Sequence, residues 1–323
     1  MRAFGKRAWP PYQLVEENLA EQAERKLSRL ERLYHVGQDN IWDGRQVLAD
    51  LIAKHGKPTL DPARKDSTLR VLSILLWGEL AAWAISADLA ERIDDVEAKM
   101  AATSQAHDEA RHFYVLRDYL RAVGEPVPRL GGIGRRLLIG ILETDSLVHK
   151  LVGMQLLVES NALGLFRGLV DANVEPVLAE LLPYYEKDEA RHVGLGVLYL
   201  PKLLRRLDAR ETLGVALFQL RCVGMLMSGG MTMREDFRAL GMNQRELARY
   251  TMRLQDEIVG EMLSASGGRR DAVRGLLNPQ RGFGPKVIEF IHPPKGVDAV
   301  PGWHRAVLRA WQAGARLADR ALA

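Results

Sequence analysis

Asp-Glu-Ala-Arg-His occupies residues 108–112 and returns unchanged at residues 188–192, 80 residues later. The same offset superposes Glu79 on Glu159, so each pentapeptide has a glutamate 30 residues ahead of its own. Four carboxylates and two imidazoles repeated in one order are hard to explain except as ligands for two metal ions. The repeat therefore predicts a dinuclear centre, and this ligand set favours iron that reacts with dioxygen.

The spacing of these residues fits a bundle of antiparallel helices. Glu-x-x-His places both side chains on one helix face, one turn apart, where they reach a single ion. If Glu79 and Glu109 lie at one height on adjacent helices, the turn between them falls near residue 94, beside helix-starting aspartates. For Glu159 and Glu189 the midpoint is residue 174, just before Pro176. The site is thus expected about 22 Å from either helix end.

The two single glutamates lie in apolar runs, at residues 71–85 and 151–159. An unpaired buried carboxylate is costly, and metal coordination is one way to compensate it. The plainer alternative for one such glutamate is a buried ion pair with arginine or histidine that only joins helices. Six residues in register favour the metal site.

This pattern resembles the ferritin-like di-iron carboxylate superfamily, in which two helices each supply a Glu and two others each supply a Glu-x-x-His. The resemblance covers residues 67–207 and is weakly specific for the reaction. It implies one iron held by Glu79, Glu109 and His112. A second iron would be held by Glu159, Glu189 and His192, with some carboxylates bridging.

The aspartates of the two pentapeptides, Asp108 and Asp188, match those of the Asp-Glu-x-Arg-His form in bacterial multicomponent monooxygenases. The resemblance implies that each orients a ligand histidine of the opposite repeat, since a metal-bound imidazole needs an acceptor for its other N–H. Arg111 and Arg191 recur in register and are expected to assist. The alternative for all four is a solvated helix face.

Four positions depart from particular members of the superfamily. Leu116 stands where ribonucleotide reductase radical subunits have a tyrosine, and Met154 where related ligand-binding oxidases have a cross-linking tyrosine. Leu163 replaces a threonine of the multicomponent monooxygenases, and Tyr185 replaces the third histidine of the para-aminobenzoate N-oxygenases. The layout still resembles di-iron oxidases and oxygenases most, and the chain is much longer than a storage ferritin subunit.

The 323-residue chain has an ordinary globular composition, with 47% hydrophobic and 27% charged residues. Its one cysteine, Cys222, excludes an intramolecular disulfide and fits a reducing compartment. We expect no secretory signal, because residues 1–12 are basic but contain no apolar stretch. We expect no membrane span, because the apolar stretch near residues 214–233 is interrupted by an arginine and a Gly-Gly pair. A cytoplasmic protein is therefore predicted.

The formal net charge is +4, and the basic excess lies on the flanks of the core. Solvated surface is the plainer interpretation. The functional alternative is a docking face for an acidic redox partner or an anionic substrate. The basic segments lack the interleaved aromatic residues of nucleic-acid-binding motifs, so a nucleic-acid partner is not expected.

The periodicity predicts an all-α protein with a ferritin-like four-helix bundle core and additional N- and C-terminal helices. Residues 1–66 would pack on a core at 67–207, itself two repeats at 67–123 and 145–207, followed by an extension at 208–323, all forming one domain. We expect core helices near 67–93, 95–123, 145–171 and 176–207. Outer helices are predicted near 12–34, 44–55, 133–143, 209–229, 243–264 and 303–321.

Two further polar residues are candidates for catalytic roles. Tyr185 lies one turn before Glu189, where it would hydrogen-bond an iron ligand or line a pocket, and Gln155 lies one turn before Glu159, where it would face a cavity. His149 is too far along its helix to be a ligand. The methionines near residues 225–233 favour core packing over substrate contact.

The favoured function is O2-dependent oxidation of a small organic substrate by hydroxylation, desaturation or N-oxygenation at a non-haem centre of two irons, with Mn/Fe possible. No nucleotide- or flavin-binding motif is visible, so a ferredoxin or reductase would supply electrons. The rivals are a ferroxidase or iron-handling protein without an organic substrate, and a structural module with a vestigial site. An apolar cavity beside the metals, lined by the third core helix and the helix at 209–229, would favour the oxidase. A homodimer is an open possibility.

Overall fold

The computed structural model describes residues 28–266 and 282–323, and within these every regular element is a helix. The first 16 residues of the predicted helix at 12–34 lie outside the described residues. Its described end forms α1 (Arg29–Asp39), and the next prediction is confirmed by α2 (Gly44–His55). Both short helices begin at a side-chain cap, Ser28 and Asp43, which accepts hydrogen bonds from otherwise free backbone N–H groups.

The four-helix core predicted from the repeat is present. Its first pair is α3 (Lys65–Arg92) and α4 (Val96–Val123), which pack along each other through a turn at residues 93–95. Asp95 caps α4 by accepting from the Ala98 N–H, and Gly124 ends α4 in the left-handed region at φ 85°. The predicted midpoint turn at residue 94 is therefore confirmed.

The third core helix is not uniformly α-helical. It runs as α6 (Leu147–Leu151), a π-helix (Val152–Val158) and α7 (Glu159–Asp171), after the crossover helix α5 (Gly132–Leu142). The fourth core helix, α8 (Pro176–Leu204), starts with proline in its first turn and contains Pro183 and Pro201. The turn between α7 and α8 includes Asn173 at φ 43°, at the predicted position.

Six further segments surround the core. The predicted helices at 209–229, 243–264 and 303–321 are α9 (Ala209–Thr232), α11 (Gln244–Ser266) and α13 (Gly302–Leu322). The sequence patterns missed α10 (Arg234–Ala239), α12 (Gly284–Ile291) and a 3-10 turn at Val297–Ala299 because each is too short to show a clear period.

The apolar core lies on both sides of the level of the pentapeptides. One cluster joins the α3–α4 turn to the π-helix and α11, and includes Ile85, Leu157 and Val259. Another joins α2 and the far half of the bundle through Leu72, Phe166 and others. A charged or polar group between these two clusters is consequently shielded from water on both sides.

Two described helices meet the length and composition criteria for a membrane span. One is α3, a core helix with 56% of its apolar window buried; the other is α9, with 17% buried. The sequence predicted no span, and these criteria alone are weak evidence for one. In α9 the side chains of Leu213 and Leu217 are more than half exposed. Cytoplasmic location and homodimerisation stay predictions.

Candidate metal centre

The six repeated residues meet at the middle of the four core helices, as the spacing predicts. Each core helix contributes from one face, and every one of the six is at most 5% exposed: Glu79, Glu109, His112, Glu159, Glu189 and His192. Four carboxylates in so small a buried volume repel one another unless protons or cations neutralise them. The arrangement therefore demands positive charge.

The six residues form two overlapping groups. Glu79, His112, Glu109 and Glu189 offer ligand atoms that all lie within 4.8 Å of one another. A second group, with the same limit, joins Glu159 and His192 to Glu109 and Glu189. The two shared glutamates come from the Glu-x-x-His motifs, so they are the carboxylates placed to bridge two ions. The sequence left open which carboxylates bridge.

Individual distances support cations at this position. His192 Nδ1 lies 2.8 Å from Glu189 Oε2 and 3.1 Å from Glu109 Oε1. His112 Nδ1 is 3.3 Å from oxygens of Glu79 and Glu189 but makes no hydrogen bond, and Glu109 Oε2 has no partner either. Buried polar atoms without partners are costly. Oxygen and imidazole nitrogen atoms left free at one point fit iron or manganese well.

The protonation preferences show how strained the cluster is without cations. Burial raises the pKa of Glu79 to about 8, and burial with the neighbouring glutamates raises the pKa of Glu159 well above its usual range. Burial opposes charge on His112 and His192, but contacts with carboxylates outweigh it and raise the pKa of both imidazoles. Metal ions would replace these protons, because only neutral imidazole and ionised carboxylate coordinate.

The two aspartates lie behind the histidines of the opposite repeat, as the resemblance implied. His112 Nε2 is 3.0 Å from Asp188 Oδ2, and His192 Nε2 is 3.4 Å from Asp108 Oδ2. A carboxylate only accepts, so each Nε2 carries the proton and each Nδ1 faces the glutamates. Burial favours neutral aspartates, yet these contacts prevail, lowering the pKa of Asp108 to about 2 and that of Asp188 further.

The arginines tie the two repeats together. Arg111 donates to Asp108 at 2.6 Å and to Asp188 at 2.8 Å, and Arg191 donates to the same two aspartates at 2.9 and 2.7 Å. Arg111 is 4% exposed, so these charge-assisted bonds are shielded from solvent. The interpretation of these four residues as a solvated helix face is wrong, because their side chains point between α4 and α8.

Trp42 is a member of this network that the sequence patterns did not reveal. Its indole Nε1–H donates to Asp188 Oδ2 at 2.8 Å, and the Arg111 guanidinium lies 4.8 Å from its ring centre. Trp42 is half-buried and lies just before α2, far from the repeat in sequence. A lone tryptophan in a turn carries no signal of such a contact.

Tyr185 contacts a candidate ligand, as one of its two predicted roles required. Its hydroxyl donates to the backbone oxygen of His112 at 2.7 Å, and its ring stacks on the imidazole with centroids 4.3 Å apart. The side chain is fully buried and does not line the large cavity described below. Its contribution is support for the His112 ring; a catalytic role stays a prediction.

Gln155 does not face the cavity, and that expectation was wrong. The π-helix has a wider turn, and the Glu159 N–H bonds to the Met154 oxygen five residues back. Met154 therefore lines the cavity, whereas Gln155 donates to Gln105 Oε1 at 3.1 Å. Gln105 in turn donates to Glu159 at 3.1 Å and to Glu109 at 3.3 Å. Gln105 was not singled out from the sequence.

A cavity of about 590 Å³ opens on the other side of the six residues. Glu79 and Glu159 form part of its wall, with residues of the third core helix and of α9. The predicted apolar cavity is thus confirmed. The four methionines discussed above pack in the apolar clusters, as expected, and also line the cavity: Met225, Met227, Met231 and Met233. The cavity lies between the core helices and the long outer helices, which together form its wall.

Comparison with solved structures identifies the fold. The chain is similar to a variant R2-like ligand-binding oxidase with an anaerobically reconstituted Mn/Fe cofactor, at a TM-score of 0.52 and 19% identity, over 83% of this chain and 96% of that one. A second variant, with an aerobically reconstituted Mn/Fe cofactor, gives 0.51 and 19% over 75% and 94%. The fold is ferritin-like.

At this identity the likeness concerns the fold, and the site rests on the residues themselves. No protein-family model matches the sequence, and no curated protein matches it either. The two neighbours are named as oxidases that bind a ligand and carry manganese and iron. The buried carboxylate and imidazole groups of this chain fit such a cofactor on their own chemistry.

Proposed function

We propose that the protein is a non-haem di-metal oxidase that uses O2 to oxidise a small organic molecule held in the cavity beside Glu79 and Glu159. This proposal rests on one observation: two residues of the buried six-residue cluster, Glu79 and Glu159, form part of the wall of an apolar cavity. An iron-handling protein needs the cluster but no such cavity. The named activity of the neighbours gives independent support.

Two ions, as Fe/Fe or Mn/Fe, would be held by the six residues, of which Glu109 and Glu189 belong to both ligand groups. When bound, such ions supply electrons to dioxygen and stabilise the charge that develops on its reduction. The residues of the chain do the rest. Asp108 and Asp188 keep the imidazole protons on Nε2, so that Nδ1 is free for an ion. Gln105 donates to Glu109 and Glu159 and fixes their orientation.

The position of the cavity determines the side from which a substrate would approach the metal centre. Because Glu79 and Glu159 are the only two of the six residues in its wall, a substrate there approaches the centre from the side of α3 and the third core helix. The apolar lining excludes water from the space between substrate and metals. Hydroxylation, desaturation and N-oxygenation are all compatible with this arrangement.

Electrons would enter on the opposite side. Trp42, Asp188 and His112 form a hydrogen-bonded chain that begins at a half-buried indole and ends at the cluster. We assign this face, around Trp42 and α2, to an external donor such as a ferredoxin or a reductase. Substrate and donor would then use different sides of the bundle and would not compete for access.

Anaerobic loading with ferrous or manganous ions tests the metal assignment. The protein should bind two ions per chain, and Glu109→Ala or His192→Ala should reduce this number. Asp236→Asn is a matched control, because Asp236 is also a buried carboxylate but pairs with Arg70 and Ser67 away from the cluster. A single zinc-like tetrahedral ion, or no ion at all, would refute the assignment.

Oxidation of the diferrous protein separates the oxidase from a ferroxidase. In stopped-flow experiments the oxidase should react once per centre and then stop until reductant and substrate are added. A ferroxidase would oxidise many added ferrous ions per chain and accumulate a ferric mineral. The second result would replace the proposed function, whatever the metal stoichiometry.

A further inference from the structure

The last described helix, α13, exposes a row of apolar residues. The side chains of Trp303, Val307 and Leu317 are 65%, 45% and 66% exposed, and Ala310 and Gly314 are exposed between them. Steps of four, three, four and three residues place all five on one face of the helix, and these five residues form the α13 stripe. The stripe is about 21 Å long. Apolar residues exposed in one continuous row, and not singly, indicate a binding surface.

The stripe is not the face that holds α13 on the protein. Another face of the helix packs against α5 and α9 and buries His304, Leu308 and Ala315. These three residues lie roughly 120° around the helix from the stripe, because successive residues turn by about 100°. Core packing therefore explains the apolar residues of the buried face, whereas the stripe faces mainly solvent.

Positive charge borders the stripe on one side. Four arginines lie along the remaining edge of α13, at steps of four, seven and four residues: Arg305, Arg309, Arg316 and Arg320. Arg309 and Arg320 are exposed, and neither forms an ion pair with a carboxylate of residues 28–266 or 282–323. The single acidic residue of the helix, Asp319, accepts the Ile133 N–H at 2.8 Å. The helix therefore presents an apolar row and a row of cations side by side.

A partner of this surface must be apolar and negatively charged in adjacent regions. A second copy that docked through the same face would bring arginines together, and like charges at an interface are unfavourable. A stable protein interface needs about 800 Å² on each partner, and one row about 21 Å long on a helix about 10 Å wide offers much less. An anionic bilayer meets both requirements, because amphipathic helices lie at its interface with apolar side chains inserted and basic side chains beside the phosphates. Tryptophan is also enriched at this depth.

We propose that α13 binds the surface of a membrane that contains anionic lipids, with the stripe inserted at the interface and Arg309 and Arg320 beside lipid phosphates. The helix would lie in the plane of the surface and not cross the bilayer; it is not one of the two described helices that meet the criteria for a span. None of the five stripe residues lines the cavity, so this association goes beyond the proposed function and is independent of the reaction.

Vesicle sedimentation tests this association with the full-length, metal-loaded protein. The probes are vesicles of phosphatidylcholine alone and of phosphatidylcholine mixed with phosphatidylglycerol. We expect the mixed vesicles to bind the protein at least about tenfold more tightly. Binding should weaken as the salt concentration rises from about 0.1 M to about 0.5 M, because salt screens surface charges. No binding to the mixed vesicles, or equal binding to both kinds, would overturn the proposal.

A pair of double variants tests the position of the basic contact. Arg309→Gln combined with Arg320→Gln should weaken binding to the mixed vesicles about tenfold to thirtyfold, since each arginine near an anionic surface contributes roughly a factor of five. Arg32→Gln combined with Arg45→Gln is the matched control, because it removes the same charge from exposed positions on α1 and α2, which pack on α4 and α8. The control should bind like the unmodified protein; an equal loss would mean that net charge alone attracts the vesicles.

A second pair of variants tests the apolar contact. Leu317→Asp places a charge in the stripe and should weaken binding at least about tenfold, because a carboxylate at the interface is repelled by the lipids and costly to desolvate. Ile41→Asp is the control: Ile41 is 49% exposed and lies between α1 and α2, away from α13. The helical circular dichroism signal and the metal content should be unchanged in both. Unaltered vesicle binding by Leu317→Asp would show that another surface is used.

Tryptophan fluorescence measures the insertion itself. Vesicles whose acyl chains carry bromine quench a tryptophan that enters them, so the fluorescence of the unmodified protein should fall on binding. In Trp303→Phe this quenching should be lost although the vesicles still bind, because phenylalanine keeps the stripe apolar. Trp83→Phe should keep the quenching, since Trp83 lies on the core helix α3. Quenching that persists in Trp303→Phe would contradict insertion of the stripe.

Other partners of the stripe give different results. A dimer that ignores the vesicles and dissociates in Leu317→Asp, as measured by sedimentation equilibrium, would show that a second copy covers the stripe. Failure of the membrane proposal is also distinct from failure of the proposed function, because no O2 or substrate is present in these experiments. A protein that binds anionic vesicles but mineralises iron would contradict only the proposed function.

Discussion

The two sides of the metal centre differ in every physical respect. On the side of α4 and α8, two aspartates and two arginines form a closed set of ion pairs, joined by Trp42. On the side of α3 and the third core helix, the wall is apolar, rich in methionine and open to a large cavity. The six candidate metal ligands therefore lie between a buried polar network and a cavity large enough for a small molecule.

The difference follows from which residues each helix supplies. The Glu-x-x-His helices carry an aspartate before and an arginine after each glutamate, so their polar groups can pair across the repeat. The helices with single glutamates carry mainly apolar neighbours, with Ser160 and Asn161 after Glu159 as exceptions. A polar support holds the imidazoles in one tautomer, whereas an apolar wall excludes water from the reacting side. The internal repeat therefore determines which side of the metal centre is polar and which is apolar.

The largest effect is expected on the polar side. Asp188→Asn should lower metal affinity about 10- to 100-fold, because His112 loses the carboxylate that accepts its Nε2 proton. Asp108→Asn should have a smaller effect, since its oxygen is 3.4 Å from His192 and receives no tryptophan N–H. Anaerobic metal titration of both variants compares them. Equal losses would mean that the two halves of the support are equivalent.

A second prediction concerns the edge of the polar support. Trp42→Phe removes the N–H that reaches Asp188 and should destabilise the protein by about 1.5–3 kcal/mol, the usual value for a hydrogen bond to a charged group. Urea unfolding measures this loss. Trp83→Phe is the control, because Trp83 is 40% exposed and its indole N–H has no partner among the described residues. Reduction of the metal centre by an external donor should also be slower in Trp42→Phe only.

On the cavity side, His292 should make stability depend on pH. Its pKa is lowered to about 4 in the folded chain, so the unfolded chain binds the proton more readily. Stability should therefore fall as the pH decreases from about 6.5 toward 4, with a contribution of at most about 2 kcal/mol at pH 5. His292→Gln should flatten the curve in this window. An unchanged curve would show that water reaches His292.

The smallest effect is expected at Tyr185, which supports the His112 ring. Tyr185→Phe removes one hydrogen bond to the His112 backbone oxygen and should cost about 1 kcal/mol while two ions still bind. Tyr184→Phe is the matched control, since the Tyr184 hydroxyl bonds no described residue. Loss of metal from a folded Tyr185→Phe protein would mean that the hydroxyl is itself a ligand.

The sequence by itself determined the bundle and the members of its centre. The offset of 80 residues predicted which six side chains meet, and the midpoints at residues 94 and 174 predicted both turns, because helical rise is uniform along each α-helix. Apolar periodicity also located most outer helices to within a few residues. These inferences succeed because they depend on local geometry and on an internal repeat.

Tertiary structure decided what no local pattern records. The π-helix at Val152–Val158 rotates Gln155 away from the cavity and brings Met154 to it, since an i→i+5 turn breaks the α-helical spacing. The contacts of Trp42 and Gln105 join residues far apart in sequence. The cavity exists because α9, α11 and α12 enclose space beside the core, and such enclosure depends on how helices pack, not on the period of any one of them.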